Sequence, residues 1–428
     1  MNTLIISHNV LDKRTAMGKT IAAFFTGWES ENLAQLYVHS EVPTMDMCSR
    51  YFRITDSDAL KSLVPGKNTE VGRRFTETQV DTQRASSRTD SGIKHKIYSF
   101  CRRRTSSIYL ARNTMWRLSH WYTESLKNWI REFSPDVIFF AAGDYAFAYD
   151  IAYTIAKDFR LPIVMYICDD YFINYQNPKS LLGKPVHKDL MRSVRRCMEH
   201  TASIITICDK LSDAYRKLFD KPIYTVYTGS SKKGDVCADG EGVVYLGNLG
   251  FTRHKSLVDI GRALKSISEK TGKHYHLDVY SAETREEILS ELTEENGIVF
   301  HGAVGSEEVN RIISQSRLVV HVESFEPENV RKVQYSISTK IADLLASGHC
   351  ILAYGPGNVA SMEYLRDQGA ACAVTDKDLL EEELADILDN QERRTRIIHA
   401  AQMLAEKNHD GQMVAQRVRE IIVSGIEG

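Results

Sequence analysis

Short apolar segments alternate with helix-length amphipathic segments along almost the whole of this 428-residue sequence. That alternation is typical of βα units, in which parallel strands form one sheet and helices cover its two faces. The predicted strands of the first half are TLIIS (3–7), LAQLYV (33–38), DVIFFAAG (136–143), PIVMYIC (162–168), ASIITI (202–207) and IYTVYT (223–228). Those of the second half are GVVYLGN (242–248), YHLDVYS (275–281), IVFHG (298–302), RLVVHVE (317–323), CILAYG (350–355) and ACAVT (371–375). We therefore predict an α/β protein with two Rossmann-like, doubly wound parallel-sheet domains.

The segment GSSKKGDVCADGEG (229–242) is polar and glycine-rich and has no hydrophobic period, as expected of a linker. The chain is also longer than one hydrophobic core usually supports. We expect a first domain over 1–228 and a second over 243–428, with a last helix that can cross back to the first. Two such domains would face each other across a cleft, with functional residues just after the strands.

Residues 61–133 depart from the alternating pattern. The stretch 61–95 is polar and weakly patterned, so we expect a loop there, whereas apolar residues recur at helical spacing from Met115 to Phe133 and predict one helix. Between Arg84 and Arg131, eleven Lys or Arg residues stand against two acidic ones. This basic insert, 84–131, indicates an anionic partner.

The overall composition is that of an ordinary globular protein, with 43% apolar and 26% charged residues. No apolar run reaches the roughly 18 residues of a membrane span, and the first residues lack the features of a signal peptide. The eight cysteines are scattered and form no CxxC pair, which indicates neither disulfides nor zinc. We expect a cytoplasmic protein without a metal or another cofactor.

The first candidate site is the segment from Tyr245 to Lys255, YLGNLGFTRHK. A predicted strand ends at Gly247 and Asn248, and the cations Arg253 and Lys255 precede a helix that is expected to begin near Ser256. Glycines let the backbone approach a ligand, while a helix N-terminus and two cations favour a diphosphate. A glycine turn with surface cations is more often structural when it occurs alone.

The second candidate site follows another predicted strand. Glu323 comes at the end of this strand in the segment HVESF, together with Ser324 and Phe325. The next predicted helix, in STKIADLLASG, has Ser338 as its N-cap, holds Thr339 and Lys340 in its first turn and carries Asp343 one turn beyond Thr339. An acid at the carboxyl end of a strand can contact sugar hydroxyls or balance positive charge. Taken alone, Asp343 is equally consistent with a solvent-exposed residue at the start of an ordinary helix.

The pattern formed by G-x-L-x(3)-R-x-K, E-S-F and K-x-x-D-x-L-A-S-G, which spans most of 240–365, resembles the carboxy-terminal half of retaining GT-B glycosyltransferases of the family 4 group. The resemblance implies transfer of a sugar, with retention, from a nucleotide diphosphate-sugar to a growing, lipid-linked surface glycan, as in bacterial surface-polysaccharide synthesis. It places Arg253 and Lys255 at the donor diphosphate, Glu323 at the donor sugar and Asp343 at the ribose. In such enzymes the base meets backbone near strand ends, here Tyr280–Ser281 and Gly302–Val304.

Two features depart from the family pattern. Asp343 stands where the family has a glutamate, and the insertion EPENVRKVQYSI lengthens the interval between the two acids. In the first half, the turn with His8, Gly18 and Lys19 takes the place of the family's glycine-containing loop near the donor phosphates. The run Gly18-Lys19-Thr20 imitates a P-loop, but the full motif needs glycine where Lys13 stands.

Three acids on the acceptor side also follow predicted strands. Asp144 follows DVIFFAAG, and Asp169 and Asp170 follow PIVMYIC. Paired carboxylates can bind a metal or form an acid–base pair. Because GT-B enzymes generally need no metal, the two interpretations that remain are acceptor contacts, shared with His8, and loop structure.

Within the basic insert, residues 94–117 interleave cations with aromatic and aliphatic side chains. This combination suits an anionic membrane, and we expect a peripheral contact with the inner face of the cell membrane, where a lipid-linked acceptor would lie. Nucleic acid competes as a partner, but no recognition module surrounds the segment, so we predict no nucleic-acid binding. For the function as a whole, the alternatives are a sugar-nucleotide epimerase of the same fold and a non-catalytic partner subunit of a membrane glycosyltransferase.

Overall fold

The computed structural model describes residues 1–12, 16–63, 71–76, 105–174 and 180–427. The chain forms two compact units, one of Met1–Val226 with Val414–Gly428 and the other of Tyr227–Met413. The segment predicted as a linker, 229–242, is therefore part of the second unit. No described helix is both long enough and apolar enough to cross a membrane.

The first unit contains an eight-stranded sheet in the order β4-β3-β2-β1-β5-β6-β7-β8. Its strands are β1 (Thr3–Ser7), β2 (Leu33–Tyr37), β3 (Arg50–Arg53), β4 (Arg73–Thr76), β5 (Val137–Ala141), β6 (Ile163–Ile167), β7 (Thr201–Thr206) and β8 (Ile223–Thr225). All neighbours are parallel except β3 and β4, which are antiparallel. The central strands are buried along their whole length, as expected where helices cover both faces.

The helices of this unit connect and cover the strands. They are α1 (Ala16–Phe24), α2 (Asp56–Lys61), α3 (Ser106–Leu118), α4 (Glu124–Phe133), α5 (Ala146–Phe159), α6 (Gly183–Met198) and α7 (Asp209–Arg216). The last helix of the chain, which we number α16 (Gly411–Glu427), adds Val418, Ile421 and Ile422 to the same core as Ile5 and Val164.

The second unit contains a six-stranded, fully parallel sheet in the order β11-β10-β9-β12-β13-β14. Its strands are β9 (Val243–Leu246), β10 (Leu277–Tyr280), β11 (Ile298–Gly302), β12 (Leu318–Val322), β13 (Cys350–Tyr354) and β14 (Cys372–Val374). Its helices are α8 (Arg253–Thr271), α9 (Glu286–Leu289), α10 (Ser306–Gln315), α11 (Pro327–Val333), α12 (Lys340–Leu345), α13 (Ala360–Asp367), α14 (Leu380–Asp389) and α15 (Gln391–Asn408). The predicted fold class, two doubly wound parallel-sheet domains, is confirmed.

Two features of the first unit differ from the sequence-based expectations. Strands β3 and β4 were not predicted, and β4 lies within the stretch 61–95 that was expected to be a loop. Strand β4 is an edge strand in which Phe75 is the one buried side chain, so it carries almost no apolar signal. The stretch 115–133 forms two helices instead of one, because Thr123 caps the start of α4, its side chain accepting a hydrogen bond from the Leu126 N–H at 3.3 Å.

The segment 229–242 is attached to the second unit by backbone hydrogen bonds. The N–H of Gly234 donates to the carbonyl of Ala346 at 2.8 Å, and that of Cys237 donates to Gly348 at 2.9 Å. A β-carbon at Gly234 would lie 1.9 Å from the carbonyl oxygen of Ser347, so only glycine fits there.

Candidate functional site

The second sheet changes direction between β9 and β12. These strands are neighbours, but the chain continues from β9 to β10 and β11 on one side and from β12 to β13 and β14 on the other. Ligands of open α/β sheets bind outside the carboxyl ends of strands at such a switch point. Gly247 follows β9 and Glu323 follows β12, so both lie at this edge.

A cavity of about 450 Å³, here called the switch-point pocket, opens at the same edge. It is lined by side chains and backbone that follow β9, β10 and β11 and by the first turn of α12. Six residues predicted to bind the donor line it: Gly247, Asn248, Tyr280, Val304, Lys340 and Asp343. Lys340 and Asp343 are three residues apart on one helix and therefore share a face.

Lys340 places its ammonium group at the turn after β9. Its Nζ donates to the carbonyl of Leu246 at 3.0 Å, and a β-carbon at Gly247 would lie 3.1 Å from this Nζ and 2.5 Å from the hydroxyl of Tyr245. Glycine is therefore required at 247. Burial, followed by the charge of Arg253, lowers the pKa of Lys340 below its ordinary value. The pocket thus holds a cation, which favours an anionic ligand.

Arg253 and Glu323 form a buried ion pair. The Nε and Nη2 of Arg253 lie 3.1 and 2.9 Å from one oxygen of Glu323, Oε2. The Glu323 side chain is only 3% exposed. Burial raises the pKa of this carboxyl, and Arg253 opposes the increase by charge and hydrogen bonding. Arg253 therefore compensates the buried charge of Glu323.

His321 lies on β12, two residues before Glu323, and was not predicted as a site residue. Its Nε2 is 3.6 Å from Glu323 Oε1 and has no hydrogen-bond partner. Burial, followed by the positive charges of Arg253 and Lys340, lowers the pKa of His321 to about 3. The imidazole is therefore neutral at pH 7. Because alternate residues of a strand point to the same face, the positions of His321 and Glu323 could have revealed this pairing.

Lys255 and Arg253 contact different acidic residues. Its Nζ lies 2.5 Å from Glu326 Oε1, the side chain is 56% exposed, and it is not among the residues that line the switch-point pocket. The helix begins at Arg253, not near Ser256, so the two cations occupy positions i and i+2 of α8 and do not share a face. Neither cation of the expected pair lines the switch-point pocket, but Arg253 lies close enough to the pocket-lining Lys340 to affect its pKa.

Ser324 and Phe325 support the site without lining the pocket. Ser324 Oγ lies 2.8 Å from Thr252 Oγ1 and accepts a hydrogen bond from the Glu326 N–H at 3.1 Å. The Phe325 ring packs against Tyr354, with ring centroids 5.0 Å apart. Ser324 thereby joins the turn before α8 to the loop after β12.

Asp343 lines the pocket and also contacts the segment 229–242. Ser230 Oγ donates to Asp343 Oδ1 at 2.6 Å, and Lys232 Nζ lies 3.5 Å from Oδ2. Lys232 itself lines the pocket. Because the segment 229–242 is polar and has no hydrophobic period, its sequence did not indicate that Lys232 would line a pocket.

At the far side of the pocket, Tyr280 stacks on His301, with ring centroids 4.5 Å apart and planes 10° from parallel. The Nε2 of His301 is 2.6 Å from Asp278 Oδ1. Tyr280 is thus held by its neighbours on β10 and β11 and can offer an aromatic surface to a base.

In the first unit, the switch point lies between β1 and β5, and His8 follows β1. The Nη2 of Arg112 lies 3.0 Å from His8 Nε2, and Asn9 Oδ1 lies 3.1 Å from His8 Nδ1. The ring stacks on Tyr145 at 5.5 Å. Burial, followed by the charge of Arg112, lowers the pKa of His8 to about 4. His8 is therefore a neutral imidazole that accepts a hydrogen bond from Arg112.

The other predicted site residues of the first unit differ in their contacts and surroundings. Asp144 is buried and accepts a short hydrogen bond from the Tyr109 hydroxyl. Asp170 accepts hydrogen bonds from the N–H groups of 172, 173 and 174 and from the side chain of Asn174, which gives it a structural role in its own loop. Asp169 contributes its carbonyl oxygen to Tyr215 at 3.4 Å. Gly18 lies within α1, whereas Lys13 is outside the described residues.

No group of three or more His, Cys, Asp or Glu side chains in the described ranges is arranged to hold a metal ion. The described cysteines, 48, 168, 197, 208, 237, 350 and 372, are all free thiols.

Residues 259–422 match the family model described as Glycosyl transferase-like. A search of curated protein sequences gives no match. The matched part is less than half of the chain and contains Glu323, Lys340 and Asp343.

Solved structures resemble the whole chain. Alr3699/HepE of Anabaena in complex with UDP has a TM-score of 0.62 at 12% identity, over 99% of this chain and 100% of that one. Sucrose-phosphate synthase from Thermosynechococcus elongatus has 0.58 at 11% identity, over 98% of each chain. An E. coli trehalose-6-phosphate structure bound with UDP-2-fluoro glucose has 0.59 at 10% identity, over 100% and 99%. The fold is that of GT-B glycosyltransferases.

Proposed function

We propose that this protein is a hexosyltransferase that moves a sugar from a uridine diphosphate-sugar to a glycan acceptor, with retention of the anomeric configuration. The observation that carries the proposal is the switch-point pocket, which is lined by both Lys340 and the aromatic Tyr280, with Arg253 close enough to Lys340 to lower its pKa. Cations favour a diphosphate, and an aromatic ring favours a base. The structural neighbours that were solved with UDP or a UDP-sugar support uridine as the base.

In the proposed complex, Lys340 and Arg253 bind the donor diphosphate. Negative charge develops on this leaving group as the sugar departs, so cations fixed in advance stabilise the transition state. Glu323 faces the sugar, and Asp343 accepts hydrogen bonds from the ribose. Asp343 is one methylene shorter than a glutamate, and Lys232 beside it supplies a donor at the same end of the pocket.

The direct test is binding and turnover with defined nucleotides. Thermal shift with uridine, guanosine and thymidine diphosphates should show stabilisation by UDP, since a ligand that binds only the folded state raises its stability. Isothermal titration calorimetry should then give one site per chain. Failure of every nucleoside diphosphate to bind would refute the proposal and favour the non-catalytic partner subunit.

A donor-only incubation separates transfer from epimerisation. An epimerase would convert a UDP-sugar without any acceptor, whereas the proposed transferase would release UDP at a substantial rate only when an acceptor is added. Analysis of the sugar by NMR after the donor-only incubation decides between these two activities.

We further propose that the acceptor is lipid-linked and that the chain contacts an anionic membrane on its cytoplasmic side, in surface polysaccharide synthesis. The interval 94–104, with most of the cations of the predicted segment 94–117, lies outside the described residues. Arg112 and Arg117 in α3 are already engaged in ion pairs with Asp56 and Asp150. Among the described residues, the cations that support a membrane contact therefore lie on another helix, α6.

Helix α6 carries an exposed cationic stripe, formed by Lys184, Lys188, Arg192 and Arg195. Their spacing of four, four and three residues places them on one face. Leu181, just before the helix, is 98% exposed. Exposed cations beside an exposed leucine suit an anionic lipid surface, to which each cation contributes about 1 kcal/mol.

Vesicle sedimentation tests the membrane contact. Replacing Lys184, Lys188 and Arg192 by glutamine should weaken binding to vesicles with anionic lipid by at least tenfold, and neutralising Arg102, Arg103 and Arg104 tests the segment that the sequence indicated. Glutamine at Lys265, Lys270 and Lys273, on or just after α8, is the matched control. Equal binding by the wild type, by both cation variants and by the control would remove the proposed membrane contact.

A further inference from the structure

Glu323 depends on a single fully charged partner. In the described ranges, Arg253 and His321 are the only basic side chains within 4 Å of its carboxylate, and His321 is neutral. Arg253 is also the cation that the proposed function assigns to the donor diphosphate. If Arg253 turns toward the ligand, a carboxylate that is 3% exposed is left without a countercharge. A buried unpaired charge is too costly to persist, so either Glu323 takes up a proton itself or another positive charge replaces Arg253.

His321 is positioned to supply that charge. Its Nε2, which has no hydrogen-bond partner, faces Glu323 Oε1 at 3.6 Å, close enough for a small side-chain movement to form a hydrogen bond. The other charged groups that act on His321 are Arg253 on α8 and Lys340 on α12. Of the neighbouring strands, β13 places Ala353 beside it, and β9 carries Tyr245, whose pKa burial raises, so that it stays protonated.

We propose that donor binding moves Arg253 from Glu323 to the diphosphate and that His321 then takes up one proton from the solvent and becomes the new cationic partner of Glu323. This inference rests on the proposed function. Before binding, Glu323 is compensated by Arg253 and the imidazole is neutral. Afterwards, the two diphosphate charges are compensated by Arg253 and Lys340, and Glu323 is compensated by the imidazolium at Nε2.

The direction of the change follows from the charges. Arg253 repels a proton on His321 as long as both stand beside the same carboxylate. The departure of Arg253 toward two negative charges removes much of that repulsion and leaves Glu323 free to attract the proton. The imidazolium then holds Glu323 at the sugar end of the site. His321 is thus a positioning residue, because it acts through Glu323.

The test is the number of protons bound with the donor. UDP-glucose is titrated into the full chain by calorimetry at pH 7 in phosphate and in Tris, whose ionisation enthalpies differ. The diphosphate of UDP-glucose is esterified at both ends, so it does not titrate near neutrality. We expect an uptake approaching one proton, and therefore up to tenfold tighter binding for each unit of pH lowered between pH 8 and pH 6.

Two substitutions identify the group that takes the proton. His321→Gln and Glu323→Gln should both bind UDP-glucose with no proton uptake, because one removes the titrating group and the other removes its partner. His349→Gln replaces another buried histidine of the same unit, which lies 2.8 Å from the Ser316 carbonyl, and should keep the uptake.

The outcomes separate this inference from the proposed function. Binding of UDP-glucose by the wild type without proton uptake overturns the inference and leaves the proposed function intact. An unchanged uptake in His321→Gln also overturns it, because the proton would then be on another group, such as the Glu323 carboxyl itself. No binding of any nucleotide or nucleotide sugar by the wild type removes the proposed function, and the inference with it.

Discussion

Arg253 directs two nitrogens, Nε and Nη2, at the same oxygen of Glu323, at 3.1 and 2.9 Å. This contact links the first turn of α8 to the loop after β12, and so crosses the switch point of the second sheet. If the donor diphosphate binds Arg253 as proposed, the pair that closes this edge of the unit is also the one that the ligand engages. Stability and ligand binding would then be coupled through it.

The first prediction concerns this coupling. Arg253→Ala should destabilise the protein by about 3 kcal/mol, because it leaves the Glu323 carboxylate buried and unpaired. Adding Glu323→Gln should recover much of that loss, since the amide carries no charge. Urea denaturation of the wild type, both single variants and the double variant measures the coupling. Equal stability of Arg253→Ala and the wild type would contradict a buried, charge-compensating contact.

The second prediction compares how much Arg253, Lys340 and Lys255 each contribute to turnover. Arg253→Ala and Lys340→Ala should each lower turnover by roughly a hundredfold or more, since each removes a fixed charge from the leaving group. Lys255→Ala should change turnover less than about threefold, because its exposed contact with Glu326 is a surface ion pair. Rates with saturating acceptor test this. A larger loss for Lys255→Ala than for Lys340→Ala would restore the sequence-based assignment.

The third prediction concerns Asp343. If its carboxylate accepts hydrogen bonds from the ribose, the wild type should bind UDP about tenfold more tightly than 2′,3′-dideoxy-UDP, since a hydrogen bond to a charged group contributes about 1.5 kcal/mol. Asp343→Ala should abolish that preference. Calorimetry with both ligands provides the four affinities. A preference that survives in Asp343→Ala would place the ribose elsewhere in the switch-point pocket.

The fourth prediction concerns acid stability. Burial lowers the pKa of His409 to about 4. Its Nε2 lies 2.9 Å from the Tyr364 hydroxyl, and its Nδ1 lies 2.8 Å from the carbonyl oxygen of Thr228. A histidine with a lowered folded pKa stabilises the fold fully above its unfolded value, near 6.5, and this contribution is lost as the pH falls toward 4. It should amount to about 3 kcal/mol over that interval. Urea midpoints at several pH values should decline less steeply in His409→Gln than in the wild type.

The fifth prediction concerns the close contact of Gly234 with Ser347. Gly234→Ala should destabilise the protein by several kcal/mol or prevent folding, because the added β-carbon would lie 1.9 Å from a carbonyl oxygen. Gly143→Ala is the matched control, because no atom lies within 4 Å of its added β-carbon. Thermal unfolding of the two variants gives the comparison. Similar melting temperatures would show that the segment 229–242 can leave the second unit at little cost.

Much of the fold could be predicted from the sequence, because buried parallel strands are continuous apolar runs. Strands such as β5 and β6 are apolar along their whole length, whereas β3 (RYFR) and β4 (RRFT) were missed because arginines make up half of each of these short strands. The break between α3 and α4 was missed for a different reason. The apolar period continues across it, and only the capping role of Thr123 marks the boundary.

Site residues could be predicted where their position after a strand places them at the ligand-binding edge of the sheet. They could be predicted less well where the direction of the side chain determines whether it lines the pocket. Gly247 and Glu323 were expected because both follow strands at one edge. The start of α8 was misplaced by three residues, and with the observed start Arg253 and Lys255 do not share a face of the helix. His321 was missed although the strand period places it on the same face as Glu323, whereas Lys232 could not be assigned from spacing, since its partner Asp343 is distant in sequence.

The attachment of 229–242 also determines where this chain can be cut and rejoined. Ser230 pairs with Asp410, and Gly234 crosses the backbone at Ser347, so these residues belong to the body that holds the switch-point pocket. A chimaera that exchanges the amino-terminal unit for that of another enzyme should therefore be joined at Tyr227–Gly229 and should keep Ser230 onward unchanged. Because α16 returns to the first unit, its residues from Val414 on must be exchanged along with that unit.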